Sequence, residues 1–415
     1  MKTYYTEQTN FFGKTRPSEL LKEFGSPLYV YNEVILRQRC REMAELVDSP
    51  DFKSNYSIKA NSNLEILKIA REEGLHADAM SPGEIYVLLA AGYKPEELLF
   101  VSNNVSAEEM KYAIDAGVLV SCDSISQLRQ YGKLNPGSRA AVRFNPGIGA
   151  GHHEKVVTAG KNTKFGITMD LIDEVKAILK EYNLKLVGIN QHIGSLFMEA
   201  TPYIDSVKQL LSIAEQFEDL EFVDMGGGFG IPYHKQDGQE RLDLKATGRA
   251  LKEVIEHWTT THGRKIRIKM EPGRYIPAES CVLLGTVHSV KQNASKNYIG
   301  TDIGFNVLVR TVMYDSYHDV EFYRNNEILK SGAITASVVG NICETGDILA
   351  RDREVPKAKE GDVIGVMDAG AYGYSMSSNY NNRLRPAEVM IGLDGMPRLI
   401  RRRDTFEDLM RGFVR

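Results

Sequence analysis

Eight apolar, β-branched runs separated by helical stretches, between about Ser54 and Gly273, constrain this chain more than any other feature. They are NYSIK (55–59), HADAM (76–80), LLFVS (98–102), LVSCD (119–123), AAVRFN (140–145), VGINQH (187–192), EFVDM (221–225) and IRIKME (266–271). Stretches such as NLEILKIAREEG (63–74) and GEIYVLLAAG (83–92) lie between them; in the first, Leu64, Leu67 and Ile69-Ala70 recur at helical spacing and Gly74 supplies a stop. Strands alternating with crossover-length connections predict parallel βαβ units. Eight such units fit a (β/α)8 TIM-type barrel, which takes about 250 residues. A doubly wound open sheet shares the pattern. The barrel is preferred because the chemically unusual residues fall at the strands' C-terminal ends, where barrel sites are built.

After about Pro277 the rhythm changes. CVLLGTVHSVKQ, NYIGTDIG, AITASVVG, DVIGVMD and EVMIG are short β-type runs with turn residues between them, and helical periodicity returns only in TFEDLMRGF. This predicts a mostly antiparallel β domain, barrel- or sandwich-like. The expected organisation is an N-terminal segment (1–30) packing with the β domain, a barrel (31–277) and a C-terminal β domain (278–415).

Composition narrows the class. With 51 Lys+Arg against 55 Asp+Glu, the net charge of -4 gives no basic footprint for nucleic acid. No apolar run approaches a membrane span of roughly 20 residues, and the first residues lack the apolar core of a signal peptide. The 4 cysteines show no CxxC spacing, which argues against a disulfide scaffold and a cysteine zinc site. No metal is expected. A cytoplasmic α/β enzyme is.

Several residues stand out against this background. Lys59, after Ser57-Ile58, ends an apolar strand, and lysine is rarely buried without cause. Burial favours the neutral amine, a nucleophile toward aldehydes. A strand-end lysine reaching solvent is the ordinary alternative. In DMGGGFGIPY (224–233) three glycines let backbone N–H groups approach a phosphate, but the pattern is neither GxGxxG nor a P-loop. A tight strand-exit turn needs the same glycines. Glu271 in EPGR (271–274) enters the barrel mouth, where a carboxylate can pair with a cationic ring nitrogen or move protons. Arg274 can clamp a carboxylate or phosphate, or the two can form a structural ion pair. His192 opens the Gly194-Ser195 turn, and is either a core histidine or a site residue. His152 and His153 read as a polar loop.

The β domain adds two groups. Cys343 stands beside Glu344. Acids beside a thiol disfavour the thiolate, so Cys343 suits a proton donor better than a nucleophile, unless it is a small buried hydrophobe. The segment 370–386 has the Gly, Ser, Asn and Tyr content of a functional loop, and its Tyr372 can reach phosphate or substrate. Arg310 and Tyr314, four apart, can face one site or the surface.

Taken together, these residues resemble the fold type III pyridoxal 5'-phosphate-dependent decarboxylases, and within that family the diaminopimelate decarboxylases. The likeness runs through SPLYVYN (26–32), YSIKAN (56–61), DAMSPGE (78–84), TKFGI (163–167), HIGS (192–195), GGGFGIPY (226–233), EPGR (271–274), CETGD (343–347), GAYGYSMSSNYN (370–381) and DTFEDL (404–409). Their order and spacing carry the specificity, since no motif alone does.

The resemblance implies a pyridoxal 5'-phosphate cofactor and decarboxylation of meso-2,6-diaminopimelate to L-lysine and CO2. It makes Lys59 the Schiff-base lysine, His192 the residue stacked on the cofactor ring and Glu271 the partner of the pyridine nitrogen. Ser195, Gly227, Gly228, Gly273, Arg274 and Tyr372 would bind the cofactor, chiefly its phosphate. Arg274, Arg310, Tyr314, Glu344 and Tyr372 would bind the substrate. Cys343 would return a proton to Cα, lent with Glu344 by one subunit of a head-to-tail homodimer to the other. Two positions depart from the family: Leu196-Phe197 follow HIGS where glutamine is usual, and Thr311 follows Arg310 where proline is usual.

Rival readings are separable. A decarboxylase of ornithine, lysine or arginine handles a cationic distal group, which Arg310 would repel. A racemase prefers a weaker electron sink than Glu271 provides. A non-catalytic cofactor-binding or regulatory relative would have no need of both Lys59 and Cys343.

Overall fold

The computed structural model describes residues 3–101, 103–147 and 163–414. Ser102 and the His152-His153 pair lie outside the described residues. The chain divides into two compact units: Arg39–Ile231 with Arg241–Ile276, and Met1–Gln38 with Pro232–Glu240 and Pro277–Arg415.

The first strand, β1 (Leu28–Asn32), belongs to the second unit. The barrel unit holds β2 (Phe52–Ser57), β3 (His76–Ala79), β4 (Leu98–Val101), β5 (Leu119–Cys122), β6 (Arg139–Asn145), the two-residue β7 (Ile167–Thr168), β8 (Lys185–Asn190), β9 (Phe222–Asp224) and β10 (Arg267–Met270). β7 only extends the edge of β6. The other strands run parallel in the order β2-β3-β4-β5-β6-β8-β9-β10, with β10 back on β2. This is the closed eight-stranded barrel expected, one strand for each apolar run, and it excludes the open sheet. Strands such as β6 and β8 are buried along all but their first residue, as parallel strands covered on both faces must be. Four successive βα turns end in a side chain that accepts from the first turn of the next helix: Asn63, Ser81, Ser106 and Ser124.

The barrel interior turns polar toward the strands' C-terminal ends. Ser121 on β5 donates to Asn190 on β8 at 2.7 Å, and Asn55 on β2 donates to Asp224 on β9 at 3.5 Å. Neither pair joins adjacent strands, so these side chains meet across the interior.

The sheet unit contains β11 (Cys281–Asn293), β12 (Lys296–Thr301), β13 (Val320–Arg324), β14 (Glu327–Ile328), β15 (Ala333–Val339), β16 (Ile348–Pro356), β17 (Val363–Val366), β18 (Ala387–Ile391) and β19 (Pro397–Arg401). Its spine is β14-β13-β17-β11-β1-β18-β19, with β12, β15 and β16 continuing from β11. Pairing is antiparallel except β1 with β18 and β12 with β15. Residues 31–38 group with this unit, and the barrel unit opens at Arg39. The cause is β1, which pairs on one side with β11 and on the other with β18, making the N-terminal segment the middle of the sheet. Pro232–Glu240 also joins this unit, pinned by Lys235, whose Nζ lies 2.7 Å from Asp368 and 3.3 Å from Glu279. Among the described residues, no helix is long and apolar enough to cross a membrane.

Candidate active site

Lys59 lies one step beyond β2, in a 3-10 turn (Ile58–Ala60), rather than on the strand itself. The turn is braced on both sides. The Ser57 N–H donates to the Pro272 carbonyl at 3.0 Å, and the Tyr56 hydroxyl donates to the Asn61 carbonyl at 2.8 Å. Three buried carboxyls converge on this end of the barrel. Asp78 accepts from the Ser57 hydroxyl at 2.9 Å; burial pushes its pKa up to about 7, with the Lys59 charge opposing. Burial likewise raises Asp224 to about 6, against a 3.0 Å hydrogen bond from the Gly226 N–H. Glu271, 5% exposed, is raised well above the ordinary carboxyl value, by burial and then by Asp224 and Asp78, with Lys59 and Arg143 opposing. Its Oε1 has no hydrogen-bond partner among the described residues. A buried carboxylate oxygen left unpaired is costly, and it fits a protonated ring nitrogen as its missing partner.

His192 is held neutral. Burial lowers its pKa well below the ordinary imidazole value, and the charges of Lys59 and Arg143 push the same way. Its Nδ1 accepts from the Gly227 N–H at 3.2 Å, so the single ring proton sits on Nε2.

The glycine turn is required by backbone crowding. A Cβ on Gly226 would stand 2.1 Å from the Gln191 carbonyl, on Gly227 1.9 Å from that of Glu271, and on Gly228 2.4 Å from that of Gly194. Three strand exits therefore meet backbone to backbone. The N–H groups of Gly228 and Gly273 find no acceptor among the described residues. Arg274 donates to the Ser195 hydroxyl at 3.0 Å. The glycines are thus explained by a tight strand-exit turn, and the donor set that turn presents suits a phosphate.

Phe197 belongs to the frame of this cradle. Its N–H donates to the Gly228 carbonyl and its carbonyl accepts from the Gly230 N–H, both at 3.0 Å, while its ring stacks on Tyr203 at 4.9 Å. Leu196 takes a left-handed φ of 67° at this step.

The sheet unit carries the remaining candidates. Arg310 is 1% exposed; its Nη1 donates to His318 Nε2 at 2.9 Å and its Nη2 to the Ser316 hydroxyl at 3.3 Å. Its guanidinium carbon lies 4.9 Å from the Tyr233 ring centroid. The helix Arg310–Met313 is a single turn, and half-buried Tyr314 closes it through a 3.1 Å bond to the Arg310 carbonyl. Tyr372 is half-buried with a φ of 57°, a backbone strain that concentrates at functional loops. Cys343 and Glu344 are exposed, and Cys343 is the exposed member of the four free cysteines, which rules out the buried-hydrophobe reading.

Residue patterns alone did not single out Asp78, Arg143 or Asp224. Arg143, 9% exposed, lies 3.7 Å from Asp123 and 4.7 Å from the Phe165 centroid. All three are charges inside apolar strand runs, the signal that marks Lys59 and Glu271.

The three raised carboxyls make a prediction for the protein without cofactor. Each has a folded pKa above its unfolded value near 4, so each favours the folded state when protonated. That stability is full below the unfolded pKa near 4 and is lost as pH rises from there through about 6 for Asp224 and about 7 for Asp78. Thermal melts of apoprotein should show a lower Tm at pH 8 than at pH 5.5, with cofactor narrowing the difference. A Tm independent of pH would contradict the carboxyl cluster.

Comparison with known proteins agrees with this geometry. Residues 34–278 match the family described as "Pyridoxal-dependent decarboxylase, pyridoxal binding domain". The chain is 40% identical over 403 residues to a diaminopimelate decarboxylase of Methanothermobacter thermautotrophicus, covering 95% of this chain and 93% of the relative. It is 35% identical to that of Escherichia coli K12, covering 94% of each. Among solved structures, a Helicobacter pylori diaminopimelate decarboxylase complexed with L-lysine superposes with a TM-score of 0.87 at 30% identity, over 95% of this chain and 98% of that one. A Vibrio vulnificus lysine/ornithine decarboxylase shares the fold at 19% identity, with a TM-score of 0.78 over 91% of this chain and 97% of that one.

Proposed function

The chain belongs to the diaminopimelate decarboxylases, pyridoxal-dependent carboxy-lyases, and from that premise we propose how its own residues carry out the reaction. The reaction is decarboxylation of meso-2,6-diaminopimelate to L-lysine and CO2. The observation that carries the assignment of residues is the unpartnered Glu271 Oε1, buried in a barrel mouth that also holds Lys59 and a neutral His192.

The residues fit pyridoxal 5'-phosphate, which when bound supplies an electron sink for the pair released as the Cα–CO2⁻ bond breaks. Lys59 is its covalent anchor. Glu271 accepts the hydrogen bond of the ring nitrogen and, as a carboxylate, keeps that nitrogen protonated. His192, uncharged, would pack against the ring without competing for Glu271. The Gly228 and Gly273 N–H groups, the glycine turn around Gly227, Ser195, Arg274 and Tyr372 hold the phosphate.

Arg274, Arg310 and Tyr314 hold substrate carboxylates, and Glu344 takes the distal ammonium. Fixing the far end of the substrate sets the scissile bond, which is worth far more than contact energy alone. Arg310 is prealigned for this by His318 and Ser316. Cys343 delivers the proton to Cα. In this reading two chains pair head to tail, and each lends Cys343 and Glu344 to its partner's barrel. The four free thiols suit a reducing compartment, the cytoplasm.

The test is CO2 release from meso-diaminopimelate beside lysine, ornithine and arginine in both enantiomers. Lysine should form from the meso substrate; release from ornithine or arginine alone would overturn the proposal. Cys343→Ala should keep cofactor binding and slow turnover roughly a hundredfold, the scale of a lost general acid. Mixing Lys59→Ala and Cys343→Ala subunits should raise activity well above that of either variant alone, because a mixed dimer carries one intact site; mixtures no more active than the variants would argue against shared sites.

A further inference from the structure

We propose that Asn381 is a positioning residue for the Cys343 proton donor, its carboxamide clamping both the backbone and the sulfur of that one residue. This rests on the reading of Cys343 given above. The Cys343 N–H donates to Asn381 Oδ1 at 3.2 Å, and Asn381 Nδ2 donates to Cys343 Sγ at 3.3 Å. The orientation of the amide is fixed chemically. A backbone N–H can only donate, so the oxygen must face it and the NH2 must face sulfur.

The clamp has a firm base. Tyr380, next in the same loop, donates to Glu344 Oε1 at 2.5 Å, and its ring stacks on Phe305 at 5.7 Å. Two successive residues of one loop thus grip two successive residues of the other. Asp347 braces the gripped loop by accepting from the N–H groups of Ile342 and Phe305, each at 2.7 Å. Arg383 donates to the Asn341 carbonyl at 2.8 Å. Asn381 itself has a φ of 56°, a left-handed conformation that asparagine tolerates better than most residues.

An N–H donor on sulfur does two things. It occupies the lone pair facing Asn381, so the S–H is directed elsewhere. It also stabilises the anion left after donation. In the donating step the S–H bond breaks, its electron pair stays on sulfur, and the proton forms the new Cα–H bond with the pair released by CO2 loss. A solvent proton then restores the thiol, matching the one proton that decarboxylation consumes. Among the described residues, the charged and titratable groups around that sulfur are Glu344 on its own loop, Tyr380 and Arg383 on the opposing one, and Asp347 behind. None replaces a neutral donor in contact with Sγ.

The experiment uses the holoenzyme and two readouts. Cys40, Cys122 and Cys281 are buried, so alkylation by iodoacetamide against pH reports Cys343. Asn381→Asp keeps the acceptor for the Cys343 N–H but replaces the N–H donor with an anionic oxygen; Asn381→Gly removes the side chain while suiting the turn. Both should move the alkylation midpoint upward by roughly one pH unit, with Asp the larger shift. Both should lower kcat roughly tenfold with KM and cofactor absorbance unchanged, and shift the basic limb of the kcat profile upward with the midpoint. An unchanged alkylation profile in both variants overturns the clamp. A shifted profile with full turnover in Cys343→Ala would keep the clamp and remove Cys343 as donor.

Discussion

Lys59→Ala is expected to remove both turnover and the absorbance of the covalently held cofactor near the visible edge. The site around this residue is built for a lysine that is held yet reactive. Its 3-10 turn is tied to the exit of β10 through Ser57 and Pro272, so the side chain starts from a fixed backbone. The carboxyls of Asp78, Glu84 and Glu271 and the ring of His192 all feel its charge. Alanine deletes the only group assigned to bond the cofactor aldehyde, and losses of such a group run to on the order of a thousandfold or more in kcat. The groups proposed to hold the phosphate, Gly228, Gly273, Ser195 and Arg274, are untouched, so added cofactor should still bind, now without the spectral signature. Lys59→Arg sharpens the point, because it keeps the positive charge that Asp78 and Glu271 face but cannot form the bond. It should be as inactive as alanine. Retained absorbance in either variant would remove Lys59 from its role.

The barrel was legible because its signals are local. Most strands are short, largely apolar runs, several with an anomalous polar residue at the C-terminal end, and the side chains capping the helices sit just beyond, as Ser81 and Ser106 do. The sheet unit was less so. β13 and β16 escaped notice because charged residues interrupt their apolar runs: Glu321 is buried within VEFYR, and Arg351 and Asp352 face water within ILARDREVP. The N-terminal segment was expected beside the β domain, but that it supplies a strand at the middle of the sheet was not legible: the partners of β1, Cys281–Leu284 and Ala387–Ile391, lie hundreds of residues downstream, and no pattern within LYVYN encodes them. The site divides the same way. Lys59, Glu271 and His192 announce themselves at strand ends, whereas Asn381 meets Cys343 only through tertiary structure, 38 residues apart. Leu196-Phe197, the departure after HIGS, is understood through packing: Phe197 buries its ring against Tyr203 and Phe229 under the glycine turn, where it shapes the cradle rather than facing water.

Glu271→Gln should move stability and catalysis in opposite directions. Glutamine keeps the size and one acceptor oxygen of Glu271 while removing the charge. In the protein without cofactor that charge is a liability, since burial, Asp224 and Asp78 all hold the carboxyl toward its protonated form. Its ionisation costs stability as pH rises through its raised pKa, so removing it should raise the apoprotein Tm at pH 8 and leave it nearly unchanged at pH 5. In the holoenzyme the same charge is what a ring nitrogen needs in order to stay protonated. Losing it weakens the electron sink, and removal of one preorganised electrostatic partner in a buried site costs roughly a thousandfold in kcat. Substrate KM should change little, because Glu271 is assigned to the cofactor. The two effects share one cause: a buried carboxyl whose Oε1 stays unpaired and whose charge is disfavoured until the cofactor completes it, stability given up for function. A variant with unaltered kcat and an unaltered Tm at pH 8 would make Glu271 a bystander, and the barrel mouth would need another partner for the ring nitrogen.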